Sequence, residues 1–180
     1  MRVTKHYPPP ALAEVLADLR RRGKRIVFTN GCFDLLHPGH IYMLSQAKSL
    51  GEALVVGINS DASVKRLKGV QRPILNETER VLLLSALEVV DYVTIFSEDT
   101  PLEMIRLLRP QVLVKGGDWS PKAVVGREIV EEAGGEVVLI PYQADFSTTG
   151  IIERILALYG SGEKLDPLGN PQPASRTRQA

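Results

Sequence analysis

Alternation of short aliphatic runs with helical patterns is the feature that most restricts the fold of this chain. Residues 24–29, 53–58, 92–96, 112–115 and 136–141 read as β-strands, rich in Val, Ile and Leu. Strands separated by helical crossovers form a parallel sheet, because each connection must return across the sheet before the next strand begins. No repeat of roughly 20–50 residues offers a competing architecture. The first crossover holds a helix beginning near His37, in which Met43, Leu44, Ala47 and Leu50 lie on one stripe, and Gly51 ends it. In "NETERVLLLSAL", Asn76 reads as an N-cap with Glu79 three residues on. In "TPLEMIRLLRP", Thr100 precedes Pro101 at the first helical position, and the helix closes before Pro110.

A chain of 180 residues with 44% hydrophobic and 24% charged residues describes one soluble domain with a sizeable core. Residues 1–23 read as an N-terminal extension and helix, and 24–159 as the main domain. Residues 160–180, rich in Gly, Pro and polar residues without apolar periodicity, are expected to be disordered. With 22 basic and 21 acidic residues, no broad surface for nucleic acid or anionic membrane is expected, so any anion site is local. Runs such as "ALVVGI" and "EVVLIP" fall short of the roughly 20 residues of a membrane helix. "MRVTKHYPPP" lacks the apolar core of a signal peptide, so a cytoplasmic location is expected. The single cysteine, Cys32, cannot form an internal disulfide or a cysteine-based zinc cage, and it reads as a packing residue.

"TNGCFDLLHPGH" spans the first strand-to-helix junction, and in open parallel sheets ligands bind beyond the carboxyl ends of the strands, where strand order reverses. Pro38 suits the first helical position, which puts His37 at the cap and His40 inside the first turn, on one face. The helix N-terminus offers unpaired N–H groups and a positive dipole end, and Gly39 lets phosphate oxygens approach the backbone. The dipole should lower the imidazole pKa values and a bound phosphate should raise them, so the rings can donate hydrogen bonds as negative charge builds. Two other readings stand beside this one. The pair simply caps and packs, or it begins a zinc site, for which two histidines without a third protein ligand are a poor start.

A second helix N-terminus, "DFSTTGIIERIL", places Ser147, Thr148 and Thr149 where hydroxyls either cap the helix or bind oxyanions. "RLKGVQRP" brings Lys68 and Arg72 into a loop shaped by Gly69 and Pro73, with solvated surface charge as the alternative. Lys115 follows a buried-type run, and Gly116 and Gly117 permit the close backbone approach a nucleotide requires. Asp118 either accepts from a ribose or caps the turn. Arg80 shares its helix face with Leu83, Leu84 and Leu87, so it either snorkels or meets an anion. Asp34 organises the phosphate loop through backbone hydrogen bonds or helps to place a metal. No metal cage is visible, so Mg2+ is expected to arrive with the nucleotide, held by phosphate oxygens and water.

The chain lacks both G-x-x-x-x-G-K-[ST] and G-x-G-x-x-G, which argues against P-loop kinases and dinucleotide-dependent dehydrogenases. "GCFDLLHPGH" resembles the G-x-F-D-x-x-H-x-G-H signature of the nucleotidyltransferase superfamily, whose HxGH relates it to class I aminoacyl-tRNA synthetases. The chain is too short for a synthetase and has no K-M-S-K-S loop. Over residues 25–156, "FTNGCFDLLHPGH", "NSDASVKRLKGVQRP", "ALEVVDYV", "EDTP", "VLVKGGDW" and "STTGIIERI" together resemble the D-glycero-β-D-manno-heptose 1-phosphate adenylyltransferases.

This resemblance implies an α/β, Rossmann-like, doubly wound parallel five-stranded sheet with helices on both faces. It implies attack of a sugar 1-phosphate on the α-phosphate of ATP, giving ADP-heptose and pyrophosphate for lipopolysaccharide core precursors. On matching positions, His37 and His40 would stabilise the triphosphate, Ser147 and Thr148 would hold its far end, and Lys68 and Lys115 would neutralise the reacting phosphate. Arg80 would be a further phosphate contact and Arg72 a substrate contact. Thr29, Asn30, Gly31, Phe33, Asp34, Gly39 and Gly116 would line the nucleotide pocket, with Asp118 and Trp119 near the ribose or base. A separate heptose 7-phosphate kinase and a homodimer are further expectations. The nearest competitor is the cytidylyltransferase branch acting on glycerol 3-phosphate or phosphoethanolamine. Its R-T-x-G-I before S-T-T is here "YQADFSTT", without the arginine. A competitor of another class is a nucleotide-binding regulator without turnover.

Overall fold

A computed structural model describes residues 5–117, 123–141 and 146–160. The chain divides into two compact units, Met1–Ala144 and Asp145–Ala180. The first unit holds β1 (Ile26–Gly31), β2 (Ala53–Asn59), β3 (Tyr92–Phe96), β4 (Val112–Gly116) and β5 (Glu136–Ile140). Its helices are α1 (Pro9–Arg21), α2 (Pro38–Lys48), α3 (Asp61–Lys68), α4 (Glu77–Ala86), α5 (Leu102–Leu108) and α6 (Arg127–Glu132).

The strands form one sheet in the order β3-β2-β1-β4-β5, and every pairing is parallel. A parallel sheet covered on both faces needs strands that are apolar at consecutive positions, and β2 is buried along its whole length. Successive side chains alternate between two cores. On one face, Val27, Leu54, Val56 and Val112 pack with Leu44 and Ala47 of α2 and with Val81 and Leu84 of α4. On the other, Ile26, Phe28, Val55 and Leu113 pack with Leu12 and Leu16 of α1 and with Met104, Ile105 and Leu108 of α5. Helices therefore cover both faces, as the doubly wound reading requires.

β1 lies between β2 and β4, so the chain winds one way through β2 and β3 and the other way through β4 and β5. The carboxyl ends of β1 and β4 are thus the switch point, where ligands bind in folds of this kind. The strands fall where the apolar runs place them, although β1 begins at Ile26 and continues to Gly31. Asn76 caps α4 with a full capping box to Glu79. α5 starts one residue later than expected: Pro101 itself is the cap, and Thr100 lies outside.

The N-terminal helix is no appendage, since Leu12 and Leu16 are fully buried against the sheet. Residues before it run beside β3, where Tyr7 N–H donates to the Val93 carbonyl and Val93 N–H to that of Lys5, covering a strand edge. α3 and α6 were not anticipated. Each is short, and α3 buries only Ser63 and Val64.

In the second unit, α7 (Thr148–Tyr159) is capped by Ser147, whose hydroxyl accepts from Gly150 N–H at 2.9 Å. The boundary between the units falls inside the span read as one domain. The tail expected to be disordered lies, from residue 161, outside the described residues.

Candidate active site

Strand β1 delivers the chain to the switch point, and the backbone there is set by two unusual residues. Phe33 has φ +47°, a left-handed conformation that costs a residue other than glycine roughly 1–2 kcal/mol. At the neighbouring edge, Gly117 has φ +116°, which only glycine adopts without strain. After Phe33 the chain enters α2 as the sequence predicts. His37 is the cap in extended conformation, Pro38 is first in the helix, and His40 N–H donates to the His37 carbonyl at 2.9 Å. Gly39 lies in the first turn, where helix N–H groups have no intrahelical acceptor.

The two imidazoles stack, with centroids 3.7 Å apart and planes at 23°, and His40 also packs on Phe33 at 5.1 Å. Burial lowers the pKa of His37. It lowers that of His40 to about 4, with the neighbouring His37 adding to the effect. Both rings are therefore neutral near pH 7. Their Nδ1 atoms are buried without a well-formed hydrogen bond, although the Leu35 backbone gives His40 a weaker interaction that favours protonation. Nature rarely leaves buried polar atoms unpaired, and sites that handle ligands are where such exceptions concentrate.

The same edge carries the cations. Lys115 sits half-buried at the end of β4, and burial lowers its pKa, with Lys68 adding to the shift and Cys32 opposing it. Lys68, at the end of α3, is exposed. Two ammonium groups that feel one another, each also coupled to Cys32 on the loop after β1, make a local field suited to an anion. The Cys32 thiol is pushed up by burial, partly offset by Lys68, Arg80 and Arg72, so it is no activated nucleophile. Its Sγ lies 4.0 Å from Asn59 Oδ1.

The remaining predicted residues differ in exposure and in partners. Thr29 is buried, with its hydroxyl 3.9 Å from Met43 Sδ, and Phe33 is buried under His40, so both support the site from below. Asn30 and Gly31 end β1 half-buried, and Gly116 ends β4. Asp34 binds no open pocket: its carboxylate is buried and accepts from Ile74 and Leu75 N–H, each at 2.8 Å, and from Arg72 Nε. Asp34 does accept backbone hydrogen bonds, but they come from the loop before α4 and not from the phosphate loop it was expected to organise.

The expected phosphate contact by Arg80, and its snorkelling alternative, give way to a buried tie. Its side chain is fully buried, and its guanidinium donates to the carbonyls of Leu75, Cys32 and Asn59 and to Asp61 Oδ1 at 2.7–3.1 Å. Ser147 and Thr148 open α7 in the second unit, and Asp118 and Trp119 lie outside the described residues. Sequence reasoning missed the buried polar group of Asn59, Ser60 and Ser63, although Ser60 follows a strand and caps α3, a legible signal. A cavity of about 700 Å³ also opens between the N-termini of α3 and α4, but Asp61, Glu77 and Glu79 line it and disfavour an anion.

Comparison with known proteins follows the same lines. The chain is 58% identical over 145 residues to "Bifunctional protein HldE" of Geotalea uraniireducens, covering 81% of this chain and 30% of that protein. With the protein of the same name from Syntrophotalea carbinolica, identity is 57% over 152 residues, covering 84% of this chain and 31% of the relative. The chain thus spans about three-tenths of the length of these curated relatives. A lipopolysaccharide core biosynthesis protein from Thermoplasma volcanium superposes with TM-score 0.56 at 30% identity, covering 67% of this chain and 98% of that one. Pantoate-beta-alanine ligase from Francisella tularensis, at TM-score 0.60 and 16% identity over 81% and 69% of the two chains, shares the fold. The family model described as cytidylyltransferase-like matches residues 28–154, a span that carries all of the sheet but the first two residues of β1, the histidine pair and both lysines, and the chain belongs to that family.

Proposed function

We propose that this chain is an adenylyltransferase that transfers AMP from ATP to D-glycero-β-D-manno-heptose 1-phosphate, giving ADP-heptose and pyrophosphate. The observation that carries the reading is the stacked, neutral His37–His40 pair at the N-terminus of α2, at the switch point of the sheet. An oxygen of the acceptor phosphate attacks the α-phosphorus of ATP. A new P–O bond forms, the bond to the bridging oxygen breaks, and pyrophosphate leaves with the electron pair. The acceptor arrives already anionic, so the step needs positioning and charge stabilisation more than a strong base.

Each described residue has a part in this reading. His37 and His40 donate hydrogen bonds to the triphosphate as charge moves onto the leaving pyrophosphate. Lys68 and Lys115 neutralise the reacting phosphate, and Arg72 binds the phosphate of the acceptor. Asn30, Gly31, Gly39 and Gly116 give the nucleotide a surface of small side chains and backbone. Among the described residues, no group of three or more His, Cys, Asp or Glu could hold a metal ion, and Asp34 is already engaged. In this reading Mg2+ enters as the companion of ATP, carried by phosphate oxygens and water, because it dehydrates reluctantly. Among the described residues no helix is long and apolar enough to cross a membrane. A cytoplasmic location, a homodimer and a heptose 7-phosphate kinase activity acting earlier in the series belong to the same reading.

The test is pyrophosphate release by the purified chain with magnesium, ATP or CTP, and a panel of acceptors. The panel includes the heptose 1-phosphate, other sugar 1-phosphates, glycerol 3-phosphate and phosphoethanolamine. Release with ATP and the heptose phosphate alone is expected. Release only with CTP and an alcohol phosphate moves the chain to the cytidylyltransferase branch, and ATP binding with no turnover makes it a regulator.

A further inference from the structure

We infer that Asp34 is a positioning residue, whose buried carboxylate locks the loop of residues 69–75 and fixes the guanidinium of Arg72 for the acceptor phosphate. The inference rests on the phosphate-transfer reading of the site above. Asp34 is 1% exposed and follows the strained Phe33, yet it reaches a loop some forty positions away. Oδ1 takes the N–H groups of Ile74 and Leu75, and Oδ2 takes Arg72 Nε while sharing the Ile74 N–H.

A purely structural staple would not need a charge here. A neutral amide oxygen can accept from two backbone N–H groups without the desolvation cost of burying a carboxylate. Among the described residues the negative charge has one further partner, Arg72. Engaging Nε fixes the plane of a guanidinium, and the two terminal nitrogens of Arg72 have no partner among the described residues. A guanidinium held by Nε with both ends open is prepared to bind phosphate with two parallel hydrogen bonds. Its side chain is 17% exposed, enough for a ligand and too little for free rotation. The loop is held from its far side as well, because Arg80 donates to the Leu75 and Cys32 carbonyls. Two independent ties thus join the loop bearing Arg72 to the loop leading into the histidines.

The experiment is a double-mutant cycle on the full chain with Asp34→Asn and Arg72→Ala, reading kcat, the KM of each substrate and thermal stability. Arg72→Ala should raise the acceptor KM by about tenfold or more, with the ATP KM within about twofold. Asp34→Asn should do the same, and the double variant should be no worse than the poorer single one, since both remove one unit. Multiplying effects, or an Asp34→Asn variant that loses melting temperature while keeping the wild-type acceptor KM, overturn the inference. Should Asp34→Asn fail to fold, Arg72→Lys carries the test, because it keeps the charge and loses the fixed plane. A wild-type acceptor KM in that variant overturns the inference.

A second readout needs no turnover: the rise in melting temperature given by inorganic phosphate. It should shrink in Asp34→Asn and Arg72→Ala alike, and equal shifts in all proteins overturn the inference. If no substrate pair turns over but both variants lose the phosphate response, the transferase reading falls and the positioning role stands.

Discussion

Acidification from pH 7 to pH 5 should weaken the ligand-free protein through His40, by an amount the structure sets. The imidazole pKa falls from 6.5 to about 4 on folding, mainly because burial disfavours the charged ring. A folded pKa below the unfolded one means that the unfolded chain binds the extra proton. Stability is then complete above about pH 6.5, declines as pH falls towards 4, and changes no further below that. With these values the loss between pH 7 and pH 5 is about 2 kcal/mol. Urea unfolding at the two pH values would measure it, with His40→Asn as the reference for every other titrating group. The wild type should lose about 2 kcal/mol more than the variant. Saturating ATP should flatten the difference, because bound phosphate favours the protonated ring. Equal losses in the two proteins, or a His40 resonance titrating near 6.5, would refute the reasoning.

Turnover and packing give further predictions. His37→Ala and His40→Ala should each lower kcat by roughly 100-fold or more with the fold intact, as loss of one preorganised donor does, and steady-state rates with circular dichroism check this. Arg80→Met strands the carbonyls of Cys32, Asn59 and Leu75 and the Asp61 carboxylate, so it should cost roughly 3 kcal/mol or more by urea unfolding. A cost under about 1 kcal/mol would show that water reaches these groups. Gly57→Ala places a Cβ 2.9 Å from the Phe28 ring and should destabilise by roughly 1–3 kcal/mol in the same assay.

The local signals were the legible ones. Apolar runs marked all five strands because a doubly covered parallel sheet has no polar face to interrupt them. The capping box at Asn76 and the Pro38 start of α2 were readable because their partners lie within one turn. α3 escaped because "DASVKRLK" presents one apolar stripe residue, Val64, to the core and turns its charges to solvent. Arg80 stood out as awkward on an apolar face, but its role was illegible. Three of its four acceptors are backbone carbonyls, two of them 21 and 48 positions away, and a carbonyl carries no residue identity. For the same reason Asp34 read as part of the phosphate loop, when its partners lie in "RPIL".

The central claim is transfer of AMP, and the most direct measurement follows the α-phosphorus. With ATP labelled at that atom, magnesium and D-glycero-β-D-manno-heptose 1-phosphate, label should appear in ADP-heptose, matched by one unlabelled pyrophosphate per sugar nucleotide formed. Label that stays in ATP or ends in free AMP, while the same protein remains folded and binds ATP, contradicts the account.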